Sequence, residues 1–178
     1  MRLRKLKSKD APLMLEWMYD KNVTEHLAKD FSKLTLYDCQ NFINKSQNDK
    51  NNLHLAVVND TDEYQGTVSL KNIDYEHKKA EFAIAIRSCA MGKGFGRFAM
   101  QEIIKIGLEK LKLQEIYWNV KKDNERAITM YDNLGFTKTL KIPEKIGGGY
   151  KTCSGTRRRH SFYLFMLLCH QERVGGIR

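Results

Sequence analysis

The chain has 178 residues, 42% of them hydrophobic and 29% charged, with 31 lysines and arginines against 21 acids and a net charge of +10. These proportions fit one ordinary globular domain, residues 1–178, long enough to bury a sizeable core, and they exclude a disordered chain. No run reaches the roughly 18 apolar residues of a membrane span and no apolar export stretch follows the first charges, so no membrane association and a cytoplasmic setting are expected.

The positive balance does not point to a nucleic-acid partner. Lysines and arginines are spread along the chain and alternate with acids, as on solvated helix faces, and the one basic run is Arg157-Arg158-Arg159. A field of this sign favours anionic ligands in general. Cys39, Cys89, Cys153 and Cys169 form no C-x-x-C pair, and the five histidines show no ligand spacing. Neither a disulfide framework nor a metal site is expected.

In chain order, Arg2 to Leu6 alternates charge with leucine and reads as an edge strand. Asp10 and Pro12 open a helix whose apolar side is Leu13, Leu15, Trp17 and Met18. Lys21 to Leu34 has no sustained period and is expected to be a loop or short helical turn, of the kind that shapes an acceptor pocket. Thr35 and Asp38 have capping-box spacing for a helix that turns Phe42 and Ile43 inward. Asn52–Val58 and Tyr64–Ile73 are strand-like, and Asn59-Asp60-Thr61-Asp62 between them predicts a hairpin.

The segment from Ala80 to Leu111 carries the first chemical signal. A short apolar run, Phe82 to Ile86, predicts a buried strand, and Gly92-Lys93-Gly94-Phe95-Gly96 follows it. A helix comes next, with Met100, Ile104, Leu108 and Leu111 on one face. A helix start has unpaired N–H groups and a partial positive charge, and glycine lets an anion approach the backbone closely, so this order of elements makes a phosphate site. The loop reads G-x-G-x-G, which fits neither the dinucleotide fingerprint nor the P-loop. The second signal lies in Glu115 to Phe136: a strand over Ile116–Val120, a polar turn, a helix from about Glu125 to Asn133, then Leu134-Gly135-Phe136.

Taken together, Met-Gly-Lys-Gly-Phe-Gly followed by Asn-x-x-Ala-x-x-x-Tyr and Leu-Gly-Phe resembles the acyl-CoA-binding core of the GNAT acetyltransferase superfamily. Arg2-Leu3-Arg4, Glu16-Trp17-Met18 and Ala80-Glu81-Phe82 resemble its branch of ribosomal-protein, spermidine and amino-sugar N-acetyltransferases. The resemblance spans about Met1 to Leu140. It implies an α/β fold (α+β) with a mixed central sheet, antiparallel in its N-terminal half and parallel in its C-terminal half, flanked by helices. It also implies transfer of the acetyl group of acetyl-CoA, as co-substrate and without a metal, to a primary amine by direct attack in a ternary complex. The acceptor is a small molecule or peptide: a protein N-terminus, an amino sugar or a polyamine. A homodimer is compatible with the resemblance, and the alternative reading is a catalytically idle acetyl-CoA-binding module.

Residue by residue, the resemblance implies Glu81 as general base and Tyr131 as general acid. A surface pairing of Glu81 with Lys78 or Lys79, and a core role for Tyr131, are the competing readings. Backbone groups of Ile84, Ala85 and Ile86 pair with the pantetheine amides, and Met91, Gly92, Lys93, Gly94, Phe95, Gly96 and Arg97 wrap the pyrophosphate. Asn124 bonds the pantetheine arm or caps the helix after it. Met91 departs from the family, which usually has Gln or Arg at that position. After about Leu140 the resemblance lapses: Ile146–Thr156 is glycine-rich and expected to be flexible, and Ser161–Cys169 predicts a last strand.

Overall fold

The computed structural model describes residues 1–27, 29–121, 123–139 and 163–169. The glycine-rich stretch and the triple-arginine run lie outside them. Seven strands form one sheet: β1 (Arg2–Lys5), β2 (Leu53–Val58), β3 (Tyr64–Asp74), β4 (Lys79–Ile86), β5 (Glu115–Lys121), β6 (Thr137–Thr139) and β7 (Tyr163–Cys169), in the spatial order β1-β2-β3-β4-β5-β7-β6. Steps β1 to β4 are antiparallel, as expected of the first half. The expected parallel half is corrected in its contacts. Only β4 and β5 pair in parallel, because β7 enters antiparallel between β5 and β6 and separates two strands that share a direction.

One face of the sheet carries α1 (Ala11–Tyr19), α2 (Lys21–Thr24) and α3 (Leu36–Ser46). Met14, Trp17, Cys39 and Ile43 pack there against Ala56, Val58 and Tyr64. The other face carries α4 (Phe95–Lys105) and α5 (Glu125–Asn133), with Met100, Ile103 and Tyr131 against Val57, Val68, Leu70, Phe82 and Trp118. Alternation along each strand feeds both clusters, since successive side chains point to opposite faces. Burying one such aliphatic side chain stabilises the fold by about 1.5–3 kcal/mol.

Local chemistry explains the element ends. Thr35 and Asp38 form the reciprocal cap expected: the Thr35 hydroxyl accepts from the Asp38 N–H at 3.3 Å, and Asp38 accepts from the Thr35 N–H at 2.8 Å. The Thr35 hydroxyl also donates to the Asp38 carboxylate at 2.6 Å, and that bond, with the one from the Thr35 N–H, holds the Asp38 carboxyl below its ordinary pKa. At α1 the expected cap is replaced. The buried Asp10 carboxylate takes both Arg4 nitrogens, at 2.7 and 2.8 Å, and the Lys7 N–H at 2.8 Å, and makes no cap bond to the helix. Trp17 donates to the buried Tyr64 hydroxyl at 2.9 Å, which shares a 2.6 Å hydrogen bond with Thr67. The helical period predicted through Leu111 slips instead: α4 ends at Lys105 and a π turn covers Ile106–Lys110. Gly107 sits inside it, where a Cβ would come within 2.8 Å of Ile116 Cδ1 and 3.1 Å of Leu70 Cδ1, so any other residue would displace those side-chain ends. No helix among the described residues is long and apolar enough to cross a membrane.

Candidate active site

Strands β4 and β5 are joined only at Lys79–Glu115, Ala80–Ile116 and Glu81–Tyr117. Beyond that vertex they part, leaving Phe82–Ile86 facing Trp118–Lys121 across a gap with no ladder between them. Alternation decides which peptide groups face it. The Arg87 N–H bonds the Gln65 carbonyl at 2.9 Å, which makes Arg87–Gln65 a hydrogen-bonded pair and, stepping back by twos, Ala85–Thr67 another. The N–H and C=O of Phe82, Ile84 and Ile86 therefore point into the gap. For Ala85 the expectation is corrected: its backbone groups belong to the β3 ladder.

At the far end of β4 the chain passes through a short turn, Ser88–Ala90, into the glycine loop and α4. Gly92 and Gly94 have φ of +74° and +86°, and the left-handed Gly94 is the residue before the helix. The first closed turn runs from the Phe98 N–H to the Gly94 carbonyl at 3.0 Å, so the amides of Phe95, Gly96 and Arg97 have no acceptor within the helix. Lys93 and Arg97 are exposed beside them, and Phe95 is buried as the anchor. Gly96 sits close under α5, where a Cβ would lie 3.4 Å from Met130 Sδ. Met91 is half-buried, and Arg126 of α5 donates to its sulfur, bringing a guanidinium to the loop that the sequence pattern did not single out.

The two expected proton-transfer residues meet the vertex from opposite faces of the sheet. Glu81 is buried on the α1–α3 side, where Lys71 Nζ bonds one carboxylate oxygen at 2.8 Å and Asn72 Nδ2 the other at 3.1 Å. Its partner is thus the cross-strand lysine, and neither Lys78 nor Lys79. Tyr131 is buried on the α4–α5 side, its ring 5.3 Å from that of Trp118, the first β5 residue past the vertex. Burial pushes the Tyr131 phenol up, so it stays protonated through the neutral range. Trp118 also meets Phe82 and Phe136 edge to face, at 5.5 and 5.0 Å, and its buried indole N–H has no hydrogen-bond partner among the described residues. Asn124 caps α5, with its side-chain oxygen 3.1 Å from the Ala127 N–H.

A pocket of about 430 Å³ lies by α1 and α2, lined in part by Met18, Tyr19, Lys21, Leu27, Lys29 and Phe31. Its base is tied to both lips of the gap. Lys121 at the end of β5 donates to the Glu25 carbonyl at 2.6 Å, and Ser88 just after β4 donates to Asp20 at the start of α2. Arg87, buried beside Ser88, bonds Glu16 of α1 at 3.0 Å through both carboxylate oxygens, and also Glu63 at 3.2 Å and the Tyr64 carbonyl at 3.0 Å. No helical or strand period marks Arg87 or Lys71 as special; their importance comes from register.

A sheet that opens between two parallel strands, beside a glycine loop at a helix start, is the framework of enzymes that take an extended, phosphate-bearing acyl carrier. The chain belongs to the GNAT acetyltransferase family, whose domain matches residues 1–137. An uncharacterized N-acetyltransferase p20 of Bacillus licheniformis is 30% identical over 169 residues, covering 93% of this chain and 91% of that one. The spermidine N(1)-acetyltransferase of Escherichia coli K12 is 38% identical over 81 residues, covering 46% of this chain and 44% of its own length. Among solved structures, the spermidine N-acetyltransferase of Vibrio cholerae in complex with CoA and spermine shares the fold with a TM-score of 0.77 over 94% of each chain, at 22% identity. The activity class is accordingly acetyl-CoA-dependent N-acetyl transfer.

Proposed function

We propose that the chain, acting as one domain over residues 1–178, transfers the acetyl group of acetyl-CoA to a primary amine held on the α1–α2 side of the gap. The observation that carries this reading is the vertex at Glu81–Tyr117, where unpaired peptide groups begin and a carboxylate and a phenol approach from the two faces. The peptide groups of Phe82, Ile84 and Ile86 suit the pantetheine amides, taken as an added strand. The amides of Phe95, Gly96 and Arg97, with Lys93, Arg97 and Arg126, suit the pyrophosphate. Arg126 supplies the charge that Met91 lacks.

An amine of lysine-like basicity, with a pKa of about 10.4, must shed a proton to attack a thioester. Glu81 receives that proton, directly or through one water, while Lys71 and Asn72 hold its oxygens in place. As the new C–N bond forms, the C–S bond breaks, and the Tyr131 hydroxyl gives its proton to the departing sulfur. Asn124 keeps α5, and hence Tyr131, in register with Trp118. The setting is the cytoplasm, where free thiols such as Cys39 and Cys89 persist. Homo-oligomeric assembly is the expected quaternary state.

The test is thiol release from acetyl-CoA with a panel of primary amines. Turnover with one class, lost in Glu81→Gln and Tyr131→Phe while acetyl-CoA still binds, supports both roles. Tight acetyl-CoA binding with no turnover on a broad panel favours the idle module, in which the occupied Glu81 oxygens are purely structural.

A further inference from the structure

We infer, building on the acyl-transfer reading, that the acceptor is a small amine that also carries an anionic group, carboxylate or phosphate, held by Lys21 and Lys29 at the mouth of the α1–α2 pocket. The charges around this pocket are unequal in their commitments. Asp20 accepts from the Asn22 N–H at 2.9 Å with one oxygen and from Ser88 with the other. Asp30 accepts from the Ser32 N–H at 2.9 Å, a bond that lowers its pKa. Glu25 sits 3.3 Å from His26, whose other ring nitrogen is 3.5 Å from Asp123. Glu25 thus lies within ion-pair distance of His26, and Asp20 and Asp30 are each engaged by donors of the chain itself.

The two lysines are not. Both are exposed and line the pocket, and neither has a carboxylate within ion-pair distance among the described residues. Lys29 Nζ rests 5.5 Å from the centroid of the Phe31 ring and feels Asp38 only at longer range. Below them the surface turns apolar: Met18 is buried, and Leu27 and Phe31 are half-buried in the cluster that also holds Ala85 of β4 and Met91. A ligand filling this volume meets methylene and aromatic surface at its body and, at one end, two ammonium groups with no carboxylate partner among the described residues. The amine must then lie at the other end, toward the gap.

A polyamine is the wrong chemistry for that arrangement. Each of its ammonium groups would face Lys21 or Lys29 across the pocket mouth, a like-charge contact that an anionic group replaces with an attraction. An anionic group at the mouth instead gains two charge-assisted contacts and leaves the acids where they are.

The experiment measures initial rates of the full chain with acetyl-CoA against spermidine, free amino acids and a nucleotide-linked amino sugar. The same rates are taken for the Lys21→Glu/Lys29→Glu double variant. Acetyl-CoA affinity by calorimetry and thermal unfolding are followed in parallel. The expected result is a kcat/KM at least about tenfold higher for an anionic amine than for spermidine. In the double variant that value falls by about a hundredfold, through KM, with acetyl-CoA affinity and Tm held. The amino-acid and nucleotide arms separate a carboxylate from a phosphate as the anchoring group. Preference for spermidine, turnover of no anionic amine, an unmoved KM, or a loss that tracks acetyl-CoA affinity would each overturn the inference. Absence of acetyl-CoA binding by the wild type removes the acyl-transfer reading itself, an outcome calorimetry identifies separately.

Discussion

Gly94→Glu tests the phosphate site most directly, because its two effects can be calculated apart. Gly94 has φ of +86° and no neighbour closer than Met1 Cε at 3.9 Å, so an added side chain meets conformational strain and open space. The strain costs about 1–2 kcal/mol and falls on folding, which Gly94→Ala isolates. The charge acts on binding. A carboxylate about 5 Å from a phosphate charge raises its energy by about 0.8 kcal/mol at a dielectric of about 80 and about 3.3 kcal/mol at about 20. Two pyrophosphate charges double that to about 1.7–6.6 kcal/mol, a loss of affinity between about 20-fold and more than 10⁴-fold. Calorimetric titration with acetyl-CoA reads the effect, and raising the salt should shrink the gap between Glu and Ala variants as screening sets in. Both variants should share a similar Tm. Affinity of Gly94→Glu within threefold of Gly94→Ala would place the pyrophosphate elsewhere and refute the assignment of the helix start.

Three further outcomes follow from the same geometry. Tyr131→Phe should lower kcat by about 10²–10⁴-fold at unchanged acetyl-CoA affinity and leave Tm nearly unchanged, since the ring keeps its packing on Trp118; a kcat loss under tenfold removes Tyr131 from proton transfer. Arg87→Ala leaves the Tyr64 carbonyl without its donor and the half-exposed Glu16 and Glu63 to solvent, and should destabilise by about 1–3 kcal/mol, with a Tm drop of about 2–4 °C per kcal/mol. An unchanged Tm in thermal unfolding would show that solvent replaces those bonds fully. Asp62 gathers Lys9 and Arg4, both at 2.7 Å, and its carboxyl is held well below the ordinary 3.8. A depressed carboxyl contributes stability that is full above the unfolded value and fades as pH drops below it. Asp62→Asn, which tolerates the same positive φ, should therefore flatten the acid limb of a Tm-against-pH curve; parallel curves for the two proteins would deny Asp62 that role.

Local signals were legible wherever a short stretch decides its own conformation. The Thr35–Asp38 cap, the Asn59–Asp62 turn and the helix from Glu125 to Asn133 with Asn124 before it all occur where residue type and spacing put them. The glycine loop was readable for the same reason, since left-handed backbone before a helix demands a particular residue. What sequence periodicity could not supply depends on pairing between distant segments. Glu81 finds Lys71 because two strands meet in one register, whereas its sequence neighbours Lys78 and Lys79 offered a plausible but mistaken partner. The orientation of the Ala85 backbone follows from a hydrogen bond two residues further on. The slip to a π turn over Ile106–Lys110, where Gly107 lies against Ile116 and Leu70, has no counterpart in the 3.6-residue period of the sequence.

The position of β7 has a consequence for how the chain is made. This strand is last in sequence among the described elements yet lies sixth of seven across the sheet, paired to β5 from Glu115–Cys169 to Lys121–Tyr163, and it is the one neighbour of β6. A chain emerging from the ribosome can close β2 to β4 by local hairpin and meander contacts and add β1 across the α1–α3 segment, but β5 keeps an open edge and β6 has nothing to join until residue 163 and its successors are free. Folding is thus expected to finish slowly, with an intermediate whose exposed strand edge invites aggregation, and a stop codon placed just before Tyr163 should yield protein that is synthesised but recovered in the insoluble fraction.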